Sequence, residues 1–276
     1  MPEPEAGPSA EARRWLDSFR RACDAVAAAV AEMPVTDRAR VVGRGAGGDD
    51  TVLIDRTAED LVIAELERLA AGGPGFTLVS EEVGERRMGA DLPVVVLDPI
   101  DGSLNAKRGL PAFATSIALA EGPTMADVTL GLVRDLGTGE EYVAERGRGA
   151  WLGGRALTGP GGPLQVLMVE GASPRRVAPL AAALDGRVRR LRALGSLALA
   201  VCAAAARRGD AAIGLGRARS VDVAAAQLVA REAGMLVGMP DAAGLAAFGV
   251  DLGGRRRIVA AWDEETHALL RGLVES

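Results

Sequence analysis

The stretch from Val94 to Asn105, VVVLDPIDGSLN, constrains this chain more than any other part of it. Three valines and a leucine run without a break into Asp98; Asp101 follows, and Gly102 and Ser103 then open a helix. An apolar run this short, closed by carboxylates, predicts a buried strand that delivers charge to its own end. Two like charges held together there demand a neutralising cation. Hard oxygen ligands suit Mg²⁺. Gly102 and Ser103 add backbone N–H groups at a helix start, where anions bind. A metal beside a phosphate cradle is the equipment of a phosphatase. Taken alone, the motif is equally satisfied by an Asp-rich turn in which Asp98 and Ser103 cap the helix and Pro99 sets the bend.

Three other stretches repeat the theme of a carboxylate at the end of an element. Phe76 to Ser80 predicts a short strand, and Glu81 and Glu82 follow it. The pair is either solvated or makes Glu81 a third acidic ligand. Asp55 sits between a short strand at Thr51 to Ile54 and an amphipathic helix at Thr57 to Ala71, so it is an N-cap or a carboxylate aimed at the same pocket. Asp222 precedes an alanine-rich helix, Val223 to Ala233, where one oxygen can cap while the other binds a cation. Arg217 and Arg219, just upstream, offer bidentate grips on a phosphate.

The remaining pattern sets the frame. Residues 1–10 are Pro-rich and acidic and read as a disordered lead-in. Residues 11–276 are long for one domain and short for two independent ones, so we expect one domain of two intimate subdomains split near 165. Glu11 to Met33 predicts an amphipathic helix, and Gly43 to Asp50 a mobile loop or hairpin. Val83 to Pro93 reads as a polar connector and Ala106 to Pro111 as a loop. Phe113 to Glu121, Asp127 to Arg134 and Glu140 to Glu145 read as successive antiparallel strands. Beyond them, helices are expected at 176–185 and Ser196 to Ala206, with a strand at Arg187 to Leu194 between.

A net charge of −5 speaks against a nucleic-acid or anionic-membrane surface. No apolar span of membrane length occurs, and Cys23 and Cys202 form no CxxC pair, so buried thiols in a reducing, cytoplasmic compartment are expected. The single histidine, His267, argues against triad chemistry.

In this order, SEE at Ser80 to Glu82, DPIDGS at Asp98 to Ser103, GRGAW at Gly147 to Trp151, LGS at Leu194 to Ser196 and VDVAAA at Val221 to Ala226 resemble the inositol monophosphatase family of lithium-sensitive, magnesium-dependent sugar phosphatases. The resemblance implies a mixed α/β fold, a layered αβαβα sandwich, commonly as a homodimer. It implies metal ligation by Glu81, Asp98, the Ile100 carbonyl, Asp101 and Asp222, for two or three Mg²⁺ ions, with Mn²⁺ as a substitute and Li⁺ as an inhibitor. Asp55 and Ser103 would orient and activate the attacking water, with Glu82 beside it. Gly102 and Ser103 would bind the phosphate, and Gly195 and Ser196 the substrate alcohol. The substrate would be a small phosphorylated metabolite, inositol monophosphate in the first place. Animal-type members carry a glutamate shortly before the late aspartate; here Ile213 to Val221 contains no acid. That departure, with Arg192, Arg217 and Arg219 available for a second phosphate, looks more like archaeal-type members that also act on fructose 1,6-bisphosphate. Nucleotide 3′-phosphatase, histidinol-phosphatase and partner-binding regulatory roles are the alternatives.

Overall fold

The computed structural model describes residues 7–46, 50–73, 75–159 and 161–275. The first half of the chain forms α1 (Ala10–Glu32), α2 (Val35–Arg38), β1 (Val41–Arg44), β2 (Asp50–Val52), α3 (Leu53–Ala71), β3 (Phe76–Ser80), β4 (Gly84–Asp101), α4 (Ser103–Arg108), β5 (Ala114–Ala120), β6 (Val128–Asp135), β7 (Glu141–Glu145), β8 (Gly149–Leu152) and β9 (Arg155–Ala156). The second half forms β10 (Val166–Glu170), α5 (Pro174–Ala183), β11 (Arg190–Arg192), α6 (Leu197–Ala205), β12 (Ala211–Gly214), α7 (Ser220–Glu232), β13 (Leu236–Gly238), β14 (Val259–Ala261) and α8 (Glu264–Glu275). Strands β3 to β9 lie side by side in chain order in a seven-stranded sheet. A five-stranded sheet runs β11-β10-β12-β14-β13, and β1 pairs with β2 in a separate hairpin.

Side-chain alternation stacks these sheets into layers. In β4, Val95 and Leu97 pack toward α1 and α3, whereas Val94 and Val96 pack toward α6 and α7. Both faces are buried, which is why the run is aliphatic at every position. The smaller sheet behaves alike: Met168 and Ala212 face α6 and α7, while Leu167, Val169 and Ile213 face α5 and α8. The result is the expected αβαβα sandwich.

The middle helix layer explains the alanines. Of nine residues in α6, eight are buried, and of thirteen in α7, ten are. A helix squeezed between two sheets has no polar face to show. Small side chains let it approach closely: a Cβ on Gly131 of β6 would stand 3.0 Å from the Cα and carbonyl oxygen of Ala225 in α7.

Several local expectations change. The supposed connector Val83 to Pro93 is mostly strand: Ser80 to Phe76 pair with Gly84 to Met88, and Thr77 to Ser80 pair again with Val94 to Leu97. Its charges misled because an edge strand tolerates them; Arg86 binds Glu67 and Arg87 binds Asp91. Helix α4 continues to Arg108, where a loop from Ala106 was expected. Helix α3 begins at Leu53, so Asp55 lies inside its first turn rather than at a strand end. The Gly43 to Asp50 stretch belongs to the β1–β2 hairpin, with 47–49 outside the described residues. Ser9 caps α1, and its N–H donates to Glu145 Oε2 at 2.7 Å, so the end of the acidic lead-in is anchored to β7; residues 1–6 lie outside the described ones. Strands β10, β12 and β13 carry no readable signal in the sequence because runs of five, four and three residues are too short to show a period. Both cysteines are buried and free. Among the described residues no helix is long and apolar enough to cross a membrane.

The Gly131 contact yields a direct test. Gly131→Val forces the α7 backbone away from β6, and we expect about 1–3 kcal/mol of destabilisation in urea unfolding; an unchanged midpoint would show that this helix–sheet approach is not tight.

Candidate active site

Three segments deliver acid to one place. The β4–β5 ladder slips between Asp98, opposite Ser116, and Asp101, opposite Ala114, so one extra residue bulges out. Pro99 cannot donate to a ladder, and its carbonyl instead accepts from the Thr115 hydroxyl at 2.9 Å. The bulge turns the strand end. Glu81 leaves β3 alongside, and Asp222 enters from the first turn of α7. Oxygens of Glu81, Asp98 and Asp222 lie within 4.8 Å of one another.

The aspartates gathered here resist ionisation. Asp98 is 2% exposed, and burial together with Glu81, Asp101 and Asp222 pushes its carboxyl well above the usual carboxylate range. Burial lifts Asp101 to about 7 despite a hydrogen bond from Ser196, and lifts Asp222 to about 6 despite the pull of Arg219. Asp101 also accepts the amides of Leu197 (3.3 Å) and Ala198 (2.7 Å) at the start of α6. Oxygen-only donors, buried and mutually repelling, fit a hard divalent cation.

Arg219 supplies part of the compensation. Its guanidinium hydrogen-bonds Glu81 and lies 4.0 Å from Asp222, while its Nε and Nη1 have no hydrogen-bond partner. The expected phosphate grip is thus held within the acidic cluster. Asp222 is not the N-cap: Arg219 is, and Asp222 accepts its N–H at 2.7 Å from the third helical position.

Asp55, Ser103 and Glu82 form the neighbouring wall. Asp55 is buried, with Lys107 Nζ 3.7 Å from Oδ2 and no hydrogen-bond partner at Oδ1. Burial raises its carboxyl to about 6, against the pull of Lys107 and the Ser103 hydroxyl. Ser103 Oγ donates to the Ile100 carbonyl at 2.9 Å. Glu82 accepts the Thr51 hydroxyl from the β1–β2 hairpin. Glu59, which the apolar spacing of the Thr57 to Ala71 helix places outward, is instead fully buried and organises this turn by accepting the Ser80 hydroxyl and the amides of Glu82 (3.2 Å) and Val83 (3.0 Å). Its signal was available, because it lies four residues after Asp55 on the same helix face.

The two halves of the chain touch at Gly102 and Gly195. Gly102 takes φ +91°, and a Cβ there would stand 3.0 Å from the carbonyls of Ala112 and Gly195. Ser196 caps α6 and donates to Asp101. Arg192 and Arg217 stay outside this group. Arg192 is exposed on edge strand β11 and donates to the Leu191 carbonyl at 2.9 Å. Arg217, its side chain 60% exposed, pairs with Asp241 at 3.1 Å and borders a cleft of about 170 Å³ with Leu197 and Gly216.

Comparison with known proteins gives a consistent result. The Inositol monophosphatase family profile matches residues 15–276. The chain is 34% identical over 240 residues to a fructose-1,6-bisphosphatase/inositol-1-monophosphatase of Methanothermobacter thermautotrophicus, covering 81% of this chain and 83% of that protein. A protein of the same description from Archaeoglobus fulgidus is 30% identical over 266 residues, with 95% and 99% covered. A solved structure described as inositol monophosphatase-fructose 1,6 bisphosphatase superposes with a TM-score of 0.79 at 26% identity, covering 94% of this chain and 99% of that one.

The electrostatics predict a stability signature. A buried carboxyl with a raised pKa, as at Asp98, favours the folded state below its unfolded pKa, about 4, and loses that contribution as pH rises through its folded one. Asp98→Asn removes one such group. In EDTA its melting temperature should exceed the wild type's at pH 7.5, with the gap closing toward pH 4.5, and added Mg²⁺ should stabilise the wild type far more than the variant. A constant gap across pH would refute the proposed charge repulsion.

Proposed function

Since the chain belongs to the inositol monophosphatase family, we propose that it hydrolyses a small phosphate monoester, inositol monophosphate in the first place, with water as the attacking group. The observation that carries this reading is the set of Glu81, Asp98 and Asp222 oxygens within 4.8 Å of one another, gathered about the buried Asp98 with Asp101 beside it. Glu81, Asp98, Asp101, Asp222 and the Ile100 carbonyl would hold two or three Mg²⁺ ions, replaceable by Mn²⁺ and inhibited by Li⁺. Bound there, Mg²⁺ supplies charge neutralisation for the phosphoryl oxygens and acidification of a water.

The chain's own groups account for the rest. Asp55 offers a buried acceptor raised to about 6, suited to taking a proton from water near neutral pH. Ser103 aligns that water, and Glu82, fixed by Thr51, closes the side. Gly102 and Ser103 meet the phosphate; Gly195 and Ser196 meet the alcohol side. The water oxygen bonds to phosphorus as its proton passes to Asp55, the ester P–O bond breaks, and the departing alkoxide takes a proton from solvent water to leave as the alcohol, without a phosphoenzyme. Arg219 holds Glu81 and Asp222 in place as charge develops.

A second reading, fructose 1,6-bisphosphatase or dual activity, is favoured by the acid-free Ile213 to Val221 stretch and by exposed Arg217 beside the cleft. Arg217 and Arg192 would meet the second phosphate. Homodimeric assembly and a cytoplasmic location belong to the same proposal; buried free thiols support the latter.

Phosphate release from inositol monophosphate, fructose 1,6-bisphosphate, 3′-phosphoadenosine 5′-phosphate and histidinol phosphate, with Mg²⁺ and with added Li⁺, separates these readings. Release from none would favour a partner-binding role. Asp55→Asn should lower kcat by at least about a hundredfold, the contribution of a positioned base. If fructose 1,6-bisphosphate is turned over, Arg217→Ala should raise its KM about tenfold, the worth of one charge-assisted hydrogen bond, and leave the KM for inositol monophosphate unchanged; equal shifts for both would refute the role of Arg217 in reading a second phosphate.

A further inference from the structure

One buried acid takes no part in the cluster. Glu170 ends β10, 6% exposed, and its carboxylate is bound by backbone amides: Oε1 accepts Leu194 N–H at 2.6 Å and Gly195 N–H at 3.1 Å, and Oε2 accepts Gly195 N–H at 3.0 Å. Burying a carboxylate is unfavourable unless its lone pairs are met, and here the amides of one turn meet them. The other side of that turn is held as well. Asn105 Nδ2, from α4, donates to the Leu194 carbonyl at 2.6 Å and reaches the carbonyls of Pro111 (3.0 Å) and Ala112 (2.9 Å). Gly195 takes φ +93°, and a Cβ there would stand 2.6 Å from Asn105 Nδ2, so the turn fits against α4 only as glycine.

What the turn presents is the set of donors on Asp101. Directly after Gly195 come the Ser196 hydroxyl and the amides of Leu197 and Ala198, all three donating to that carboxylate. Asp101 arrives from the larger sheet and Glu170 from the smaller one, so the Leu194–Ser196 turn is where the second half of the chain fixes an acid of the first.

We propose that Glu170 and Asn105 are positioning residues that clamp the Leu194–Ser196 turn by its amides and its carbonyl, and so hold Asp101 in the orientation required for cation binding. The proposal rests on the reading of Asp101 as a metal ligand. Both act on Asp101 through the turn.

The test is Mg²⁺ binding to the full chain by calorimetry without substrate, with melting temperatures alongside. Glu170→Gln sets an amide N–H₂ against N–H donors, and Asn105→Ala removes the carbonyl anchor. Each should weaken Mg²⁺ binding about tenfold, the low end of what outer partners of a metal ligand carry. Val169→Ala, a cavity in the same strand facing away from the turn, serves as the stability control: it should melt earlier yet bind Mg²⁺ as the wild type does. Wild-type affinity in both Glu170→Gln and Asn105→Ala overturns the clamp while leaving the phosphatase reading intact. Loss of affinity in Val169→Ala equal to theirs overturns it too, by assigning the effect to stability. If Glu170→Gln does not fold, Asn105→Ala decides. Absence of Mg²⁺ binding in the wild type overturns the metal-site reading and the proposal together.

Discussion

The repulsion among buried carboxylates at the joint of two sheets is the interaction on which this structure turns. Asp98 and Asp101 close β4, Glu81 follows β3 and Asp222 lies in the first turn of α7, and Glu81, Asp101 and Asp222 all raise the energy of ionising Asp98. Such a group persists only where donors and cations answer it. Arg219 meets Glu81 and Asp222, the amides and hydroxyl at the start of α6 meet Asp101, and the Ile100 amide meets Asp98 at 3.0 Å. These partners set the geometry but leave the cluster's net charge negative, which is the property a hard cation requires.

The scaffold makes such crowding possible. Two sheets with a shared helix layer between them bring strand ends and helix starts of opposite halves to one point. The approach depends on small residues, alanine throughout α6 and α7 and glycine at Gly131, Gly102 and Gly195. The abundance of Ala and Gly is therefore a packing requirement at these positions, whatever else shapes composition elsewhere. Each close contact also places backbone amides near the acids, so packing and electrostatics are satisfied by the same residues.

Where a residue could be read from the chain, its physical signal was local. The aliphatic run into Asp98 could mean only a doubly buried strand, and β4 is that strand. The acids after β3 and at the start of α7 were legible because an unpaired carboxylate at an element's end stands out against apolar surroundings. Glu170 was not, since nothing adjacent in sequence distinguishes an acid that accepts distant amides from one that faces water. Val83 to Pro93 failed for the converse reason: its charges and glycines imitate a loop, and its pairing to β3 is a contact between segments.

The sequence by itself singled out the side chains proposed for chemistry, because a buried strand that ends in aspartates and a glycine-started helix admit few uses, and the order of its motifs, through the family they resemble, implied the layered α/β class. Only the tertiary structure decided which acids share a site, that Arg219 lies among them while Arg192 and Arg217 remain at the edge, and that Glu170 and Asn105 hold one turn from both sides. Those facts depend on contacts between separate segments, up to the 138 positions between Glu81 and Arg219, set by how the two sheets close on the helices between them.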